Sequence, residues 1–277
     1  MIRRYYLYGC LLLALFPYHS ARADLFDFSL ENQPLSIEAD NGVEIRQQEK
    51  IYVARGNVKI MRGPLQLKAD MVTAYYRDKK QGKGVEIWKL YAQGNVELVS
   101  EADQVNSSEA TIDFDQSSFI LQSQNSQMIS IKLGDHILTA VGKIEYVDEI
   151  HQITALGKPT LSNKPMNLSL AADEIKIFLR PFKNPSLGGG SRIQKLTADH
   201  QVRLQQKDTV ALADQLVYTV QEKTILMSGH AQITQGNNQI QGENMLINLA
   251  NESISITATP GSSQRVNTLL LLNQINK

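Results

Sequence analysis

Ala54-Arg55-Gly56-Asn57-Val58-Lys59-Ile60 is one copy of a pattern that returns as Ala92-Gln93-Gly94-Asn95-Val96-Glu97-Leu98 and as Met227-Ser228-Gly229-His230-Ala231-Gln232-Ile233. A looser copy is Ala155-Leu156-Gly157-Lys158-Pro159-Thr160. Apolar and polar residues alternate at the two-residue period of a strand that buries one face. Glycine falls on the apolar parity, so Ala54, Gly56, Val58 and Ile60 are expected to point the same way. A glycine at such a place marks a bend, a bulge or a close approach of backbone. A second pattern follows further on, as Leu67-Lys68-Ala69-Asp70-Met71, Leu170-Ala171-Ala172-Asp173-Glu174-Ile175, Leu212-Ala213-Asp214-Gln215-Leu216 and Gln241-Gly242-Glu243-Asn244-Met245. The two patterns together form a repeating two-strand unit.

The same alternation runs through Ala110–Asp115, Met245–Leu249 and Ser253–Ile256. No amphipathic helix is legible beyond the N-terminal apolar run, so the fold class is all-β. A two-strand unit cannot cover its own apolar face, and stacked units can. A double-sheet jelly roll or a wide β-solenoid meets that requirement. Its terminal units leave open strand edges, expected near Leu35–Ile37 and Val43–Ile45 at one end and near Arg265–Leu271 at the other, where Leu269–Leu272 adds an apolar run.

The chain has 277 residues with 28 basic and 28 acidic side chains, a balance that argues against a nucleic-acid partner. Arg3 and Arg4 precede the apolar run Leu7–Phe16, and Ala21-Arg22-Ala23 follows it, which reads as a signal peptide over residues 1–23 cut after Ala23. Residues 24–277 form the expected single domain. Removing the leader takes away Cys10, the sole cysteine, so disulfides, thiol catalysis and thiolate metal sites are excluded from the mature chain. Export without cysteine leans toward a bacterial periplasm.

Catalytic signatures are missing. His136, His151, His200 and His230 show no metal-ligand spacing and read as surface histidines. Asp113-Phe114-Asp115-Gln116 starts like a calcium loop, but the sixth position lacks glycine and the twelfth is Gln124. No G-x-S-x-G occurs. Trp88 reads as a core or edge residue rather than a sugar platform. Arg180–Ser191, with two prolines and three consecutive glycines, reads as a surface loop and lacks the Gly-Lys-Ser/Thr of a phosphate cradle. No enzyme, metal or cofactor is expected.

Asn32–Asp40, Tyr52–Ile60, Leu67–Asp70, Leu156–Pro159, Val217-Tyr218, Leu226–Gln235 and Gly261–Leu270, in this order behind a signal peptide, resemble the OstA-like family of lipopolysaccharide-transport proteins. The middle, about Ser117–His200, holds more repeat units than a typical member. The chain ends too soon for the transmembrane barrel of the outer-membrane relative, and its cleavage pattern differs from the retained anchor of the inner-membrane partner. The resemblance implies an open, twisted β-jelly roll of stacked antiparallel strands with extra units in the middle. It also implies a periplasmic bridge carrying lipopolysaccharide, its lipid A acyl chains held inside, between inner-membrane and outer-membrane transport components, with head-to-tail self-assembly through edge strands. The alternative is an exported β-solenoid enzyme or adhesin acting on polysaccharide. Strand parity gives the candidate groove residues: Val58, Ile60, Leu67 and Met71; Val96, Leu98, Ile112 and Phe114; Ile225, Met227, Ile233, Met245 and Ile247.

Overall fold

The computed structural model describes residues 35–63, 65–79, 84–100, 103–180, 193–251, 253–257 and 267–269. The expected leader lies outside the described residues, as do 181–192 and, beyond 257, all but 267–269.

Every described element is a strand. The first group is β1 (Ser36–Glu38), β2 (Val43–Arg46), β3 (Ile51–Arg62), β4 (Leu65–Asp78), β5 (Val85–Ser100) and β6 (Asp103–Asp113). Shorter strands fill the middle: β7 (Ser118–Gln122), β8 (Ile129–Leu133), β9 (His136–Ala140), β10 (Lys143–Val147), β11 (Gln152–Leu156), β12 (Thr160–Asn163), β13 (Leu168–Ala171) and β14 (Glu174–Leu179). Long strands then return as β15 (Ile193–Gln206), β16 (Thr209–Thr219), β17 (Thr224–Gln235) and β18 (Asn238–Asn248), followed by β19 (Ser253–Thr257) and β20 (Asn267–Leu269).

All pairings are antiparallel, and they form two ladders side by side. The first runs β2-β3-β4-β5-β6-β7-β10-β11-β14-β15-β16-β17-β18-β19. The second runs β1-β3-β4-β5-β6-β8-β9-β12-β13-β15-β16-β17-β18-β20. The long strands belong to both and turn from one into the other at a corner. In the middle each crossing is made between two short strands instead, as at Val141-Gly142 between β9 and β10.

Facing rows of side chains close the interior. Leu121, Ile144, Ala155, Ile175, Ala198 and Leu216 are successive cross-strand neighbours in the first ladder. Ile131, Leu138, Leu161, Leu170, Leu204 and Ala211 are the same in the second. All are buried in one cluster that includes residues of β3 and of β18. Each fully buried Leu or Ile contributes about 1.5–3 kcal/mol relative to exposure.

The repeated glycines mark the corner. Gly56-Asn57, Gly94-Asn95, Gly157-Lys158 and Gly229-His230 are consecutive left-handed pairs, and Asn125-Ser126 and His200-Gln201 are two more without glycine. In the long strands, two such residues stand opposite one on the neighbour, so the register shifts there. The single residue opposite is an aspartate or glutamate of the second sequence pattern on β4, β16 and β18, as Asp70, Asp214 and Glu243, and is Ser108 on β6. Asp70 lies between Gly56-Asn57 and Gly94-Asn95, and Asp214 between His200-Gln201 and Gly229-His230. The side chains tie the corner: Asn57 Nδ2 donates to Asp40 Oδ2 at 2.7 Å and Asn95 Nδ2 to Asp70 Oδ2 at 2.9 Å. Gly94 (φ +74°) has no room for a Cβ, because the Asp70 carboxylate occupies that space. At Gly157 (φ +87°) a Cβ would fall 2.5 Å from the Gly142 nitrogen, so two backbones meet there. The two sequence patterns are therefore halves of one clamp, closed between an aspartate and the left-handed pair that comes after it in the chain.

At the last corner histidine replaces asparagine. His230 Nδ1 lies 2.8 Å from Asp214 Oδ2, and this hydrogen bond, with the carboxylate charge, raises the imidazole above its ordinary value. A raised native value means the folded state holds the proton more tightly than the unfolded chain. The stabilisation is complete below the ordinary imidazole value of about 6.5 and is lost as pH rises through the raised native value. Urea titrations should therefore show the wild type losing stability relative to His230→Asn as pH is raised from 5.5 to 8.5. A constant difference across that range would contradict the assignment.

The candidate groove between the two ladders

The corner line closes one side of the interior, and the hairpin turns lie along the two opposite lips. The first lip carries turns such as 114–117 and 148–151, and the second carries turns such as 134–135 and 164–167. Between the ladders lies a small apolar pocket, a cavity of about 20 Å³. Leu196, Leu216, Tyr218 and Ile225 line it from the first ladder; Leu161, Leu168, Leu170 and Leu204 line it from the second, with His136 and Asn163 at the second lip. Burial pushes the Tyr218 hydroxyl up, which keeps it neutral among these aliphatic side chains.

Of the candidate residues, Val58, Ile60, Leu67, Val96 and Leu98 lie in the second ladder's half of the buried cluster, near the chain's beginning. Ile112, Ile225, Met227, Met245 and Ile247 lie in the first ladder's half, and Ile233 in the second's. Phe114 follows β6 and packs against the cluster while partly exposed, with the Arg62 guanidinium 5.2 Å over its ring. The structure thus brings these residues to one interior from two sheets.

Met71 does not join them. It stands opposite Arg55, half-buried on the outer face, and Val72 faces inward in its place. The expectation failed because it carried strand parity straight through Asp70. At that corner β4 crosses with a single residue, so the inward positions change from Leu67 and Ala69 to Val72 and Ala74. On β3 and β5 the crossing takes two left-handed residues, and parity survives: Ala54 and Val58, like Ala92 and Val96, are all inward. Gly56 itself belongs to the bend and not to the inner face.

The interior through the short middle strands was not named from sequence at all, though Ile129, Ile131, Ile144, Ile153, Ile175 and Ile177 show the same alternation. His136 also departs from expectation. It shares parity with Leu138 and Ala140, faces the pocket, and sits 3.2 Å from Asn163 Nδ2 through its Nε2. His151 pairs with Asp148 at 3.5 Å, and His200 lies in a corner pair. The Asp113 stretch is a turn: Asp113 Oδ1 accepts the Asp115 and Gln116 amides, and Asp115 is gripped by Arg77 at 2.6 and 2.7 Å. Trp88 lies 5.8 Å from the Tyr75 ring. Among the described residues no group of His, Cys, Asp and Glu is placed to hold a metal ion, and no helix is long and apolar enough to cross a membrane.

The sequence model of the LptA/(LptD N-terminal domain) LPS transport protein family matches residues 36–137 and again 89–253. The chain belongs to that family. No curated protein matches the sequence. Among solved structures, LptH of Pseudomonas aeruginosa, described as the LptA homologous periplasmic component of the conserved lipopolysaccharide transport device, is similar at 13% identity and a TM-score of 0.23, over 88% of this chain and 99% of that one.

The parity change at Asp70 can be tested directly. Val72→Asp should destabilise the fold by about 3 kcal/mol or more, since it buries a carboxylate without a partner. Met71→Asp, one residue away on the outer face, should cost less than about 1 kcal/mol. Equal losses in chemical denaturation would place both residues on the same face and refute the corner.

Proposed function

We propose that this protein carries lipopolysaccharide across the periplasm, sheltering acyl chains between the ladders while the sugar portion stays in water, and that it works by binding and conduction rather than catalysis. The observation that carries this reading is the unbroken apolar interior, which runs from β2 to β19 with aliphatic or aromatic side chains at each step. The row Ile45, Tyr52, Ala74, Leu90 and Ile112 opens it, and Tyr218, Ile225, Ile247 and Ile254 close it. Acyl chains crossing an aqueous compartment need such continuity, because each exposed CH₂ costs about 0.8 kcal/mol.

Both ends of the array favour assembly in line. Among the described residues β1 and β2 pair only with β3, and β19 and β20 only with β18. Val43 and Ile45 stand opposite the inward Ala54 and Tyr52, yet they are 43% and 57% exposed. An apolar inner face that ends in solvent calls for a continuation. Unlike edges that join do not close on themselves, so copies would add head to tail, with other components of the transport machinery at the two termini.

Displacement of a bound fluorescent fatty acid by lipopolysaccharide tests the reading. The wild type should bind the probe and release it to lipopolysaccharide. Ile60→Asp and Met227→Asp, each shown by circular dichroism to retain β-structure, should bind neither. Ile45→Lys on the edge should keep binding but abolish growth of assemblies with concentration in light scattering. A wild type that ignores both lipids, or folded interior variants that bind normally, would overturn the proposal.

A further inference from the structure

The two lips of the groove differ in chemistry. The last inward row before the second lip runs through His136, Asn163, Leu168, Gln206, Thr209 and Gln235 as successive cross-strand neighbours. One row deeper, every inward position on the same strands is apolar. The polar atoms in this row are largely out of water. Asn163 is 1% exposed and Thr209 4% exposed. Asn163 is satisfied by His136 and by the Met166 amide. Thr209 Oγ1 and Gln206 Oε1 are buried and make no hydrogen bond. Ser100 Oγ, 2% exposed and on the same lip nearer the chain's beginning, makes none either. Leaving a polar group buried without a partner costs about 1–3 kcal/mol. Such groups find their partner outside the chain, in an ordered water or a bound ligand.

Their kind restricts what that partner is. From His136 to Gln235 the row holds, besides Leu168, amides, a hydroxyl and an imidazole, with no Lys, Arg, Asp or Glu. Toward the chain's beginning the same row passes through Leu133 to Asp103 and Ser100, and Arg62 ends β3 on that lip, so the charged side chains stand at one end. The stretch from His136 to Gln235 is suited to uncharged donors and acceptors. Its place also matters: Gln206 is opposite Leu168, a wall of the apolar pocket, and Thr209 is opposite Gln206. Whatever meets this row has its apolar part in the cleft and an uncharged polar junction at the lip.

We propose that the second lip is a rail for the junction of an acylated sugar, where Gln206 and Thr209 hydrogen-bond the amide or ester carbonyls and sugar hydroxyls that join acyl chains to the head group. The inference rests on the lipopolysaccharide reading above and deepens it. It makes the groove selective among lipids: a simple fatty acid fills the cleft without using the rail, whereas an acylated sugar uses both. The first lip differs: its last inward positions before the turns include the apolar or aromatic Tyr76, Phe114, Leu179, Val220 and Leu249, and its polar residues Asp148 and His151, which continue the parity of Tyr146 and Ile153, pair with each other at 3.5 Å.

The test compares two ligands on three proteins: the wild type, Gln206→Leu/Thr209→Val, and Thr209→Ser. The first variant removes the hydrogen-bonding groups at similar volume, and the second keeps the hydroxyl. Lipopolysaccharide should bind the double variant about three- to tenfold more weakly than the wild type, as expected for one or two lost hydrogen bonds. A fluorescent saturated fatty acid should bind it equally well or better, and Thr209→Ser should behave as the wild type with both. Unchanged lipopolysaccharide affinity in the double variant would overturn the rail while leaving the transport reading intact. An equal loss for both ligands would also overturn it, since that marks a general disturbance of the cleft. A wild type that binds neither would remove the transport reading and the rail with it.

Discussion

The corner carries the architecture. A sheet this wide could bury its apolar face only by folding over onto itself or against another layer, and here each long strand supplies both layers. That requires the backbone to turn while its ladder hydrogen bonds continue on either side. Two left-handed residues on one strand, opposite a single residue on the next, meet the requirement. The aspartate at the single position then satisfies the asparagine or histidine of the pair. The interior rows, the lips and the continuity from end to end all follow from where this turn falls. In the short middle strands the corner is made by connecting segments, and at Gly142 and Gly157 by the direct meeting of two backbones that tolerates no side chain.

An interior built this way differs from the core of a compact domain. Its cross-section is set by the ladders and repeats along the molecule, so length is added by adding strands without redesigning the centre. The apolar surface has no natural stop along the array, which explains why Val43 and Ile45 reach solvent with the chemistry of core residues. Conduction of an amphiphile then needs no machinery within the protein beyond shape, an apolar interior and a lip that tolerates polar groups. The direction of movement would have to come from whatever stands at the two ends.

Much of this was legible in the sequence. Alternation gave the strands, and the recurring Gly-Asn and Ala-Asp patterns gave the repeat and its relation to a known family. The use of those patterns was not legible, because a clamp joins residues that meet only once strands pair: Asp70 with Asn95, and Asp214 with His230. Parity reasoning succeeded across Gly56-Asn57, where two extra residues leave alternation unchanged, and failed at Met71, where the neighbouring strand crosses with one. His136 read as a surface residue because it stands directly after the polar turn Gly134-Asp135. Its parity with Leu138 was the available signal, and only the facing ladder turns that parity into burial. Gln206 and Thr209 were invisible for a similar reason, since a polar residue beside a turn is ordinary until a second sheet covers it.

The central claim is that acyl chains lie between the ladders and nowhere else on the protein. Photoreactive phenylalanine analogues placed at Tyr218, within the pocket, and at Leu226, an apolar residue on the outer face that is 41% exposed, test it by crosslinking to lipopolysaccharide. The account predicts strong crosslinking from position 218, lost on competition with excess unlabelled lipid, and none from position 226. Equal crosslinking from both positions, or crosslinking from 226 alone, would contradict it.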